Sequence, residues 1–174
     1  MAARSAGLIA ASVVVLALGC GEGAEQQAPA TLLAADVESL PVGNAVGTSY
    51  SGLYVLSEAT VTACVCRAGS CSEWMGSSSG SFALTQTDGA LRLVLRTNTS
   101  ETTYDGGIDR DGKFRVGGSR VDQSSAAYSI LSGTVEERVG MELKSQNTLT
   151  GPVNGKSTDC DVEVKLAATF VASL

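Results

Sequence analysis

The chain has 174 residues, with 12 Lys plus Arg against 18 Asp plus Glu and a formal charge of −6, a balance that argues against a nucleic-acid partner. It contains no histidine, which rules out a Ser-His-Asp or Cys-His triad, a histidine metal centre and the commonest general base. Acid–base chemistry would have to rest on paired carboxylates.

Residues 1–19 carry the three parts of an export signal: Arg4 near the start, an apolar run over 7–18, and the small residue Gly19 before a cleavage point. The run meets Gly19-Cys20-Gly21-Glu22-Gly23 before reaching the roughly 20 apolar residues that a membrane-spanning helix needs. The segment Leu16-Ala17-Leu18-Gly19-Cys20 resembles the lipobox of bacterial envelope lipoproteins, with Ala17 at the position where that family usually has Leu. The resemblance covers about the first twenty positions. It implies that the Cys20 thiol takes a diacylglycerol, that cleavage makes Cys20 the new N-terminus, and that the protein is anchored to a membrane of the cell envelope. Gly21 in place of an aspartate favours the outer membrane over the inner. Residues 20–45, rich in Gly, Ala, Glu, Gln and Pro and without an aromatic residue, read as a flexible tether with a transient helix over 31–40. Residues 46–174 are long enough for one domain with a single core.

After residue 48, short alternating segments are punctuated by Gly, Asp and Asn, and no stretch sustains a helical period. The domain is expected to be all-β. In 80–97 two alternating runs flank Asp88-Gly89, a dipeptide favoured in type I′ turns. That turn pairs Gln86 with Leu91, Leu84 with Leu93 and Phe82 with Leu95 on an apolar face, and Thr85 with Arg92 and Ser81 with Arg96 on the other. Around 109–113 a three-residue loop with Gly112 as a left-handed bulge puts Asp109 opposite Lys113, Ile108 opposite Phe114, and Tyr104 across from Gly118. Further strands are expected at 49–66, with a break near Ser57-Glu58, and at 127–136, 140–150 and 160–171. In the last, Val162, Val164, Leu166, Ala168 and Phe170 share the inward face. About eight antiparallel strands on short turns point to a single β-barrel, with a two-sheet sandwich as the alternative. The repeated phrasing of turn, apolar strand and turn resembles small lipocalin-like barrels of bacterial envelopes in pattern.

With Cys20 assigned to lipid, Cys64, Cys66, Cys71 and Cys160 remain, an even set that reads as two disulfides in an exported domain. Cys64 and Cys66 point to the same face of one strand and are poorly placed to join each other. The expected pairs are Cys66 with Cys71 and Cys64 with Cys160; exchanging Cys64 and Cys66 serves nearly as well. A thiolate metal site lacks both the two-residue knuckle of zinc and a nearby His to complete it, so no metal or cofactor is expected.

Three functions compete. A non-enzymatic, lipid-anchored envelope protein would bind a small ligand in a cavity lined by Phe82, Leu84, Leu93 and Phe114, or bind an envelope component. A protein-interaction or inhibitor module would act through a rim loop presenting Trp74 and Met75. A carboxylate enzyme would need two of the acidic residues, such as Glu58, Glu73, Asp105 and Asp109, to converge in a cleft, and nothing in their spacing brings them together.

Overall fold

The computed structural model describes residues 28–71, 79–98, 100–153 and 156–174. Eight strands follow a short helix α1 (Ala34–Glu38): β1 (Gly52–Ala68), β2 (Gly80–Thr87), β3 (Ala90–Thr97), β4 (Glu101–Ile108), β5 (Lys113–Val121), β6 (Ala126–Glu136), β7 (Gly140–Val153) and β8 (Lys156–Ala172). Each strand pairs with the next in antiparallel fashion and β8 returns to β1, so the sheet is a closed barrel and not a sandwich. Closure leaves no strand edge unpaired.

The alternation read in the chain sets which side chains enter. β2 and β3 pair in the expected register throughout, with Phe82 opposite Leu95, Leu84 opposite Leu93 and Gln86 opposite Leu91. The turn differs from a type I′. Asp88 has φ 50, but Gly89 is not among the positive-φ residues. Its constraint is close approach: the Gly89 carbonyl accepts from the N–H of Gly43 at 2.9 Å and of Ile108 at 3.0 Å, and a Cβ there would collide with the Gly43 carbonyl. The 109–113 loop is as expected, with Ile108 opposite Phe114, Asp109 N donating to the Lys113 carbonyl, and Gly112 at φ 77. The Tyr104 ring lies over Gly118. β1 is continuous but carries a register shift between Leu56 and Glu58, at the expected break.

The half of the lumen toward Tyr50 is packed: Tyr54, Phe82, Leu84, Leu93, Ile108 and Val116 each have 0 % accessible surface, while the inward Ala59, Val61, Leu95, Ser129, Asn147 and Val164 nearer the other end are half-buried. Each fully buried side chain stabilises by about 1.5–3 kcal/mol. Polar residues seal one end: Gln86, 1 % exposed, accepts from the Tyr50 N–H at 3.0 Å and donates to the Asp88 carbonyl at 2.9 Å, and the Tyr50 hydroxyl donates to the Arg110 carbonyl. These bonds matter because an unsatisfied buried amide costs about 1–3 kcal/mol.

The outer wall carries paired charges, including Arg92 with Asp105 and Arg96 with Glu101. An apolar interior under a charged exterior is the reverse of a membrane-spanning barrel.

Residues 28–45 correct the expected tether: they lie on the barrel as a strap, while 20–27 fall outside the described residues. Thr31 donates to Asp161 on β8, and the Leu32 N–H donates to Thr148 on β7. Leu32 and Val37 then cover Ile130, with Tyr128 packed beside them. The strap crosses where the wall has no side chain. A Cβ on Gly117 would meet the Val37 carbonyl at 2.5 Å, and one on Gly107 would collide with the Gly43 nitrogen and the Pro41 carbonyl. The composition of 28–45 concealed this because its anchors are one threonine hydroxyl, two isolated apolar side chains and backbone groups.

Gly107→Ala is expected to lift the strap and destabilise the protein by about 1–3 kcal/mol, the usual cost of overpacking. Denaturant unfolding measures the loss, and limited proteolysis should move cleavage into 29–45; unchanged stability and cleavage would show that the strap does not depend on this contact.

Candidate functional site

The strap covers only part of the wall. Across β6, β7, β8 and β1, outward residues form rows: Thr134, Glu142, Ala167 and Glu58; then Ser132, Lys144, Lys165 and Thr60. Beside the rows covered by the strap, the β6, β7 and β8 members of these rows floor a groove of about 850 Å³ on the outer wall, bordered by Ser57, Glu136, Val139 and Thr169. Its depth comes from small residues, since Gly140 and Ala167 lie on the outward face where longer side chains would fill it.

Charge in the groove is organised around Glu163. Lys144 Nζ lies 2.6 Å from one carboxylate oxygen and the Thr62 hydroxyl donates to the other at 2.8 Å. The ammonium of Lys144 holds the Glu163 carboxyl below its ordinary range, with Thr62 adding to the effect against partial burial. Lys165 stands directly opposite Lys144 in the ladder, and among the described residues it has no carboxylate within 4 Å. Two like charges abreast, one of them unneutralised, favour an anionic group on a partner.

Beyond the groove, Asp161 anchors the strap. Although it points outward, it is 2 % exposed, because residues 31–32 cover it. Its carboxylate accepts from Thr148 at 2.6 Å, from Thr31 at 2.7 Å and from Arg67 Nη1 at 2.8 Å. Burial pushes this carboxyl up, but the three donors outweigh it and hold the group below its ordinary value. Arg67 also grips Asp159 through Nε and Nη2. The two aspartates therefore face a guanidinium, not a cleft open to substrate. Of the carboxylates nominated from the sequence, Asp105 pairs with Arg92, Asp109 accepts from the Asn44 N–H and the exposed Glu58 accepts from the Thr60 hydroxyl, while Glu73 lies outside the described residues.

At the end of the barrel opposite Tyr50, the cystines are Cys64–Cys71 and Cys66–Cys160. This is the exchanged pairing and corrects the favoured one. Register decides it, because Cys66 stands directly opposite Cys160 in the β1–β8 ladder while Cys64 faces Val162. The β1–β8 staple closes a loop of 94 residues, worth about 4.7 kcal/mol in the chain-entropy model.

Of the residues proposed to contact a ligand, Phe82, Leu84 and Leu93 are 0 % exposed and Phe114 is 4 % exposed within the core. They pack against one another and do not line an open cavity. Trp74 and Met75, and the lipidation candidate Cys20, lie outside the described residues. The groove residues Lys144, Glu163 and Lys165 were visible in the chain only as the polar face of alternating strands. The Asp-Val-Glu-Val-Lys run over 161–165 was their signal, but alternation does not tell a solvated face from a concave one. Compared with known proteins, the chain matches no family model, no curated protein and no solved structure.

The folded-state pKa of Asp161 is depressed, so its contribution to stability is present above the unfolded-state value of about 3.9 and is lost as pH falls through the folded-state value. Asp161→Ala is expected to destabilise by about 2 kcal/mol at neutral pH, in the range for hydrogen bonds to a charged group. The gap from the wild type should shrink in acid below the ordinary carboxylate range. Denaturant titrations at several pH values test this, and a gap that is constant or widens in acid would contradict it.

Proposed function

We propose that this protein is a non-enzymatic, lipid-anchored component of a bacterial cell envelope, whose barrel serves as a solid scaffold and whose outer groove receives a segment of another envelope protein. The observation that carries the reading is the contrast between the packed Tyr50 half of the lumen, which holds Phe82, Leu84, Leu93 and Phe114, the side chains nominated for a ligand cavity, and a groove of about 850 Å³ on the outer wall. A carrier of small molecules needs the opposite arrangement. The groove, with small residues at its floor and Lys165 without a counter-ion among the described residues, suits a narrow segment bearing a carboxylate. The anchor rests on the lipobox ending in Cys20, which tethers the barrel to a membrane, with the outer membrane favoured. The acidic mature chain argues against a nucleic-acid partner.

The test is crosslinking and capture from envelope extracts with the full mature chain, comparing the wild type with Ala167→Trp, which fills the groove from its floor without touching the lumen. Capture of a defined protein that falls at least about tenfold with Ala167→Trp, equivalent to about 1.4 kcal/mol, supports the groove. Equal capture by both proteins removes the groove from the reading, and loss with Trp74→Ala alone transfers the role to the rim loop. For the anchor, Cys20→Ala should abolish incorporation of labelled fatty acid while leaving the β-sheet circular dichroism unchanged; continued acylation of that variant would overturn the lipoprotein assignment.

A further inference from the structure

The two cystines touch. Cys66 Sγ, already bonded to Cys160, lies 3.6 Å from Cys71 Sγ and 3.8 Å from Cys64 Sγ. None of these sulfurs carries a hydrogen in the oxidised protein, so the contacts are van der Waals contacts between one disulfide and the next. Sulfur–sulfur contact is the starting geometry of thiol–disulfide exchange, in which a thiolate attacks one sulfur of a disulfide and displaces the other.

Access differs between the two bonds. Cys160 has 0 % accessible surface, whereas Cys64 and Cys71 are both half-buried and Cys71 lies just beyond the end of β1 at Ala68. Cys66 is half-buried as well, and its sulfur is flanked by those of Cys64 and Cys71, so the reachable end of the β1–β8 staple lies against the other cystine.

We propose that the four cysteines form a thiol–disulfide relay, whose external co-reactant is a dithiol and whose output is the opening or closing of the barrel seam. A dithiol reduces Cys64–Cys71 first, leaving two protein thiols and a cyclic disulfide of the reductant. The Cys71 thiolate then attacks Cys66 Sγ; the Cys66–Cys71 bond forms, the Cys66–Cys160 bond breaks, and the electron pair leaves on Cys160, which takes a proton. A second dithiol reduces Cys66–Cys71. Overall, two dithiols are oxidised and four protein thiols are produced. Cys71 is the relay nucleophile because Cys64 shares a strand face with Cys66, while Cys71 approaches from the loop. Run in reverse, the same steps carry an oxidising equivalent inward to seal β1 against β8.

The experiment treats the oxidised mature chain with dithiothreitol at mildly alkaline pH, quenches with acid at intervals, alkylates and maps the bonds by mass spectrometry. The relay predicts early loss of Cys64–Cys71 and a transient Cys66–Cys71 form with Cys64 and Cys160 alkylated. In the double variant Cys64→Ser, Cys71→Ser, the Cys66–Cys160 bond should survive at least about tenfold longer, because its only attackers come from solvent. If the outer cystine is merely a cover, the same variant loses Cys66–Cys160 at an equal or faster rate and no Cys66–Cys71 form accumulates; that result overturns the proposal. Cys160→Ser gives a second reading should the double variant fail to fold. Its Cys66 thiol should partition the chain between Cys64–Cys71 and Cys66–Cys71, whereas Cys64–Cys71 alone, with Cys66 fully alkylated, also overturns it.

Discussion

Everything in this molecule follows from the pairing of β1 with β8. A sheet of eight antiparallel strands has two edges whose N–H and C=O groups need partners, and here the longest strands, 17 residues each, satisfy one another. Closure turns one face of every strand into an interior and fixes the other as a continuous outer wall. The shifts along this seam, at Leu53/Tyr54, Leu56/Glu58, Val61/Ala63 and Cys66/Ala68, keep the side chains of β1 in phase with the lumen over its full length. They also bring Cys66 opposite Cys160, so the covalent staple is a consequence of the hydrogen-bond register.

Inside, closure produces a packed core with a polar lid. Tyr54, Phe82, Leu84 and Leu93 occupy the middle, while Gln86 and Tyr50 exchange hydrogen bonds with backbone at one end. Outside, closure produces a wall whose features depend on where glycine interrupts it. Gly107 and Gly117 admit the strap, and Gly140 helps to form the groove. Covering and uncovering thus share one device: removing a side chain lets another chain come close. The strap shows the wall accepting an extended segment of its own chain, held by Thr31, Leu32 and Val37. The groove offers comparable ground a few residues along the same strands.

The local hairpins were legible because their information is local. Asp88-Gly89 between alternating runs, and Gly112 after three polar residues, determined both register and inward face for β2 to β5, since a slip of one residue would expose every apolar side chain. The all-β class and the inward set of β8 were legible for the same reason. The site was much less so. Asp161 reads as one more polar residue on a solvated face, yet it is buried, because a segment about 130 positions earlier in the chain lies over it. Lys144 and Lys165 are far apart in sequence and become neighbours only in the β7–β8 ladder.

The sequence by itself determined the strand periodicity, two turns with their registers, an even set of four cysteines apart from Cys20, and the absence of histidine chemistry. Each is a property of composition or of residues within about one hairpin of one another, where spacing alone decides geometry. Tertiary structure decided that the sheet closes, that Phe82, Leu84, Leu93 and Phe114 pack as core, that 28–45 packs on the wall, and that Cys66 and not Cys64 meets Cys160. These depend on side-chain volumes summed around a whole barrel and on bulges that shift a register by one residue. A shift of that size leaves the pattern of apolar and polar residues intact while changing which atoms touch.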